Sequence, residues 1–77
     1  MNNSDLASFG PGSVIGILGG GQLGRMTALA AARLGYRCHI FAPEAGGPAA
    51  QVSDAETVSG YDDQNALACF ADMIDVA

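Results

Sequence analysis

The sequence predicts an α/β domain of the doubly wound, Rossmann-like kind, with a parallel sheet in the order βαβ-βα. Three observations carry that expectation. A short apolar run, Val14-Ile15-Gly16-Ile17-Leu18, is bounded by glycines, as a strand buried on both faces of a parallel sheet would be. A glycine cluster, Gly19-Gly20-Gly21, follows at once, and a helical stripe follows that. The same strand-then-helix alternation then recurs in weaker form.

Taken in order, residues 1–12 are polar and end in Gly10-Pro11-Gly12, which reads as a disordered lead-in. After the first strand, Leu23, Met26, Thr27, Ala30 and Leu34 fall at i, i+3, i+4, i+7 and i+11, one stripe of a helix. Ala28, Ala30, Ala31 and Ala32 keep that helix slim enough to lie close on a sheet, and Gly35 suits the residue just past its C-terminus. Residues 37–41 predict a second strand, residues 42–50 a loop with two prolines and two glycines, and Thr57-Val58 a weak third strand. Asp62 or Asp63 is placed to cap a second helix, whose apolar stripe is Leu67, Phe70, Ala71 and Ile74. A fourth strand is expected to begin at Asp75-Val76-Ala77, so the pattern reads as a domain cut short there.

Composition narrows the function classes. Seventy-seven residues are about half of one ordinary domain, which rules out a two-domain enzyme within them. Of the apolar residues 14 are alanine and only 22 are Val, Ile, Leu, Met, Phe or Tyr, enough for one thin core layer. Three arginines, no lysine and eight acids give a net charge of −5, the wrong sign for gripping a nucleic-acid backbone. No segment approaches the ~20 apolar residues of a membrane span, and the first dozen residues lack the basic and apolar regions of a signal peptide. Cys38, Cys69 and His39 are the only Cys and His residues, one short of a structural zinc set, so no metal site is expected. The cysteines read as two small buried thiols of a soluble, cytoplasmic protein.

The residues suited to chemistry lie at Gly19-Gly20-Gly21-Gln22-Leu23-Gly24, a GxGxxG string between a strand and a helix. Gly19 permits the tight turn, Gly21 lets a ligand approach the backbone, and Gly24 lets helix and strand pack closely. Free N–H groups of the first helical turn then favour an anion such as a phosphate. A glycine turn needed only for packing is the plainer alternative. An NAD(P)-binding half-domain of an oxidoreductase would further need an acid at the end of the second strand, where Ala42 stands. Glu44 has the right sequence distance but lies beyond Pro43 in the loop. No NAD site is therefore expected. Arg25 could reach a bound anion, with a solvent-facing or acid-paired role equally open. His39 reads as structural, and Asp54, Glu56, Asp62 and Asp63 as solvated loop and cap residues. One histidine cannot assemble a nucleophilic triad, so no catalytic residue is assigned. A stand-alone interaction module is a third reading, resting on length alone.

Beyond spacing, several strings resemble one family: residues 15–26 as a whole, Leu34-Gly35-Tyr36-Arg37, Pro48-Ala49-Ala50-Gln51-Val52, Tyr61-Asp62-Asp63, and Leu67. The family is 5-(carboxyamino)imidazole ribonucleotide synthase, the ATPase subunit of phosphoribosylaminoimidazole carboxylase, and the likeness runs over residues 14–76. It implies that residues 13–77 are part of a pre-ATP-grasp domain, with the ATP-grasp domain absent from this chain. It further implies a homodimeric ligase of de novo purine biosynthesis that joins bicarbonate to 5-aminoimidazole ribonucleotide through carboxyphosphate. ATP, with Mg²⁺, would be bound outside these residues and converted to ADP and phosphate. Carried over by position, Gly20, Gly21, Gln22 and Leu23 would border the ribonucleotide through backbone N–H groups. Two positions depart from the family's habit: Ala42, commonly an acid, and Cys38, commonly β-branched.

Overall fold

The computed structural model describes residues 12–75. Its elements are β1 (Val14–Leu18), α1 (Gln22–Arg33), β2 (Arg37–Ala42), a 3₁₀ turn (Ala50–Val52), β3 (Ala55–Val58) and α2 (Gln64–Asp72). The three strands form one parallel sheet in the order β1-β2-β3, with Val14 opposite Arg37, Leu18 opposite Phe41, and His39 opposite Ala55. All three therefore end at the same edge, where the loops that follow them meet. The expected lead-in lies outside the described residues except for Gly12, whose N–H donates to the Gly35 carbonyl at 2.7 Å.

Local signals set the element ends. Gly19 turns the chain out of β1 at φ +122°, a conformation side chains rarely adopt. Gly35 ends α1 at φ +87°, with its N–H on the Ala32 carbonyl and that of Tyr36 on the Ala31 carbonyl, a Schellman motif. Asp63, not Asp62, caps α2: its Oδ1 accepts from the Ala66 N–H at 3.0 Å. That bond first, then the Ser59 hydroxyl on its other oxygen, holds the Asp63 carboxyl below the usual carboxylate range.

β2 is the centre of the core, and its two faces are covered by different helices. Cys38, Ile40 and Ala42 face α1, where Ala28 and Ala31 are buried with Ile15, Ile17 and Ala49 around them. His39 and Phe41 face α2, whose Phe70 ring meets both edge-on at centroid distances of 5.1 and 5.3 Å. Gly16 of β1 lies beneath that ring, and a Cβ there would come within 2.7 Å of Phe70 Cζ.

The structure corrects the sequence reading at two places. Leu23, Met26 and Leu34 of the α1 stripe are 78%, 66% and 71% exposed, while Gly24, Ala28 and Ala31 form the face on the sheet. A Cβ on Gly24 would sit 3.0 Å from the Gly19 carbonyl and 3.2 Å from Ala49 Cβ, so the helix lies too close for large side chains. Second, Cys69 is exposed on α2, and only Cys38 is buried. Two of the acids read as solvated, Asp54 and Glu56, are exposed as expected and also act as clasps. Asp54 accepts from the Cys38 N–H while its own N–H donates to the Cys38 carbonyl, and Glu56 accepts from the Gly46 N–H at 3.2 Å. At the outer edge of β1, Asp75 makes a comparable pair with Val14: its N–H donates to the Val14 carbonyl, and its carboxylate accepts from the Val14 N–H.

Candidate functional site

Because the strands are parallel and in register, the loops after β1, β2 and β3 converge, and they enclose a cavity of about 330 Å³. Gly20 and Gly21 line it from the first loop, Ala42, Pro43, Glu44, Gly47 and Pro48 from the second, and Tyr61 from the third. This is the edge at which doubly wound sheets bind their ligands.

The glycine loop has the geometry its spacing predicts. Gly21 is the N-cap of α1 at φ −83° and ψ −166°, and it supplies no side-chain acceptor, so the N–H groups of the first turn remain available. Nothing lies within 4 Å of where its Cβ would be, which leaves the backbone open to a ligand. Gly20 is tighter: its Cβ would sit 3.1 Å from Ala42 Cβ. The loop after β2 is fastened to it, with the Ala49 N–H donating to the Gly20 carbonyl at 3.0 Å.

Of the residues expected to border a ligand, Gly20 and Gly21 line the cavity together. Leu23 lies on the other side of the loop, lining a second hollow of about 280 Å³ with Ile17, Leu18 and Thr27, which Gly21 also borders. Gln22 is exposed at the helix start and lines neither. Arg25 is half-buried and its Nη1 donates to the Pro48 carbonyl at 3.4 Å, bracing the second loop against α1. Sequence reasoning passed over Glu44, Gly47, Pro48 and Tyr61. Glu44 carried a signal in its distance from Gly24, and Pro48 and Tyr61 only in the strings that resemble the family, because a loop's approach to another loop leaves no periodicity. Among the described residues no group of three or more His, Cys, Asp or Glu side chains is arranged to hold a metal ion. No described helix is long and apolar enough to cross a membrane.

His39 is structural, as its alternation suggested. It is 5% exposed, its Nε2 shares a hydrogen bond of 2.7 Å with Thr57 Oγ1, and burial holds its pKa below the ordinary value.

Known proteins resemble this arrangement closely. The profile of the ribonucleotide synthetase preATP-grasp domain matches residues 13–77. An N5-carboxyaminoimidazole ribonucleotide synthase from Brucella melitensis is 58% identical over 72 residues, covering 94% of this chain and 20% of that protein. Among solved structures, an N5-carboxyaminoimidazole ribonucleotide synthetase in complex with ADP superposes with a TM-score of 0.86 at 48% identity, over 90% of this chain and 19% of that one. The synthetase from Staphylococcus aureus complexed with ADP gives 0.85 at 34%, again over 90% and 19%. The chain thus spans about a fifth of the length of these relatives, which are synthases and synthetases rather than oxidoreductases. With that profile covering nearly all of its residues, the chain belongs to the ribonucleotide synthetase pre-ATP-grasp domain family.

Proposed function

We propose that these residues are the opening segment of a longer ATP-grasp ligase, an N5-carboxyaminoimidazole ribonucleotide synthase, and that they form its ribonucleotide side. The whole enzyme would join bicarbonate to 5-aminoimidazole ribonucleotide through carboxyphosphate, with ATP converted to ADP and phosphate, in the cytoplasm and as a homodimer. The observation that carries the reading is the open face of Gly21. Bare backbone at Gly20 and Gly21 lines the three-loop cavity, and the N–H groups of Gln22, Leu23 and Gly24 follow without a capping side chain at the start of α1, in a chain 58% identical to such a synthase.

Within this segment the work is binding and orientation. The α1 N-terminus and the N–H groups around Gly20, Gly21, Gln22 and Leu23 would take the phosphate. Arg25 would add a positive charge behind them while bracing Pro48. The segment's own residues do not suit a Mg²⁺–nucleotide site. The chain has no lysine, and no described acids cluster to hold a metal. ATP and Mg²⁺ are therefore assigned to the rest of the enzyme, and NAD to no part of this site, since Ala42 closes β2 without a carboxylate.

Gly21→Val in the full-length synthase tests the assignment. The extended backbone at Gly21 accepts valine and no neighbour obstructs its Cβ, so folding should survive. The KM for the ribonucleotide should rise at least ~10-fold and that for ATP stay within about twofold. Equal losses would mean misfolding, and a selective loss for ATP would mean the loop serves the other substrate.

A further inference from the structure

Tyr61 has a position that packing alone does not explain. Its ring lies beside that of Phe41, a fully buried residue, at a centroid distance of 5.9 Å and a tilt of 35°, yet the residue remains 50% exposed. The ring runs from Phe41 toward the start of the glycine loop, its hydroxyl 3.9 Å from where a Gly19 Cβ would be. It thus lies across the ends of β2 and β1 as one wall of the three-loop cavity.

The turn that carries it is firmly held. The Ser59 N–H donates to the Ala42 carbonyl at the end of β2, the Asp63 N–H to the Gly60 carbonyl, and the Ser59 hydroxyl to Asp63, which in turn caps α2. An aromatic side chain on a short, hydrogen-bonded turn, packed beside a buried ring and half exposed at a cavity wall, is suited to act as a stacking platform. The rest of the lining offers glycine, alanine, proline and the Glu44 carboxylate, none of which presents a flat π-surface. A ribonucleotide held by its phosphate at the α1 N-terminus has one planar part left to place, its heterocycle.

We propose that Tyr61 recognises the heterocycle of the ribonucleotide, stacking its exposed ring face on the aminoimidazole while the glycine loop holds the phosphate. This assignment rests on the ribonucleotide reading of the cavity. Tyr61 is the specificity-determining wall of the site: it separates a ribonucleotide carrying a flat base from a bare sugar phosphate.

The test is steady-state kinetics of the full-length synthase carrying Tyr61→Leu or Tyr61→Phe, with ribose 5-phosphate as a competitive inhibitor that has the phosphate and sugar but no heterocycle. Leucine keeps apolar bulk over Phe41, and phenylalanine keeps the ring. Tyr61→Leu should raise the KM for aminoimidazole ribonucleotide ~10-fold, in keeping with the worth of one aromatic–base stack, and leave the KM for ATP and the Ki of ribose 5-phosphate within about twofold. Tyr61→Phe should stay within about twofold of wild type throughout. Parallel losses for the ribonucleotide, ATP and ribose 5-phosphate in Tyr61→Leu would overturn the proposal in favour of a purely structural ring. An unchanged ribonucleotide KM in Tyr61→Leu beside a raised one in Gly21→Val would overturn it while sparing the phosphate assignment. No effect from either variant would overturn both.

Discussion

The N–H of Ala49 donates to the carbonyl of Gly20 at 3.0 Å, and this bond makes one unit of two loops that follow different strands. Gly47 lies in the same contact: a Cβ there would stand 2.9 Å from the Gly20 oxygen, a backbone atom that cannot swing aside. Arg25 completes the joint through Pro48. The second loop thus seats the glycine loop that borders the cavity.

Gly47→Ala should therefore push the loops apart. We expect a loss of about 1–3 kcal/mol of stability, the usual result of forcing a methyl group into a filled space. We also expect a ribonucleotide KM raised more than that for ATP. Thermal denaturation of the full-length protein with paired kinetics checks this, and an unchanged Tm with wild-type KM values would show that the loops are not coupled.

A second expectation concerns pH. Burial lowers the pKa of His39, whereas in the unfolded chain the imidazole takes a proton near pH ~6.5. Below that pH the unfolded state binds more protons than the folded one, so stability falls as the solution is acidified through about pH 6.5 toward the depressed native value. His39→Gln does not titrate and can still bond Thr57, so it should flatten the dependence of Tm on pH between about 7.5 and 5.5. The Asp63 contribution has the opposite origin, a depressed carboxylate, and is lost only at more acidic pH, as pH falls through its native value. Equal slopes for wild type and variant above about pH 5 would remove His39 from the account.

Cys38 should be chemically silent in the folded protein. It is 3% exposed, and burial, followed by the negative charge of Asp54, raises its thiol pKa. Iodoacetamide at pH 8 should leave Cys38 unmodified in the native full-length protein and label it fully in denaturant, as read by peptide mass spectrometry. Rapid native labelling of Cys38 would mean that β2 opens readily.

What the sequence determined by itself was everything whose cause lies within a few residues. The turn at Gly19, the left-handed stop at Gly35 and the cap before α2 follow from local backbone needs, and they were legible as motif and spacing. Three strands in α/β alternation followed from where the apolar runs fall, and the family resemblance rested on strings covering the same residues. Only tertiary structure decided which face of α1 meets the sheet. Periodicity marks a stripe but not how closely two backbones approach, and at this distance the alanines win over Leu23 and Met26. The cavity was likewise hidden. Gly21, Glu44 and Tyr61 lie far apart along the chain, and each loop alone looks like ordinary turn sequence. They meet because parallel strands in register must all end at one edge, a constraint that belongs to the sheet and to none of the segments that build it.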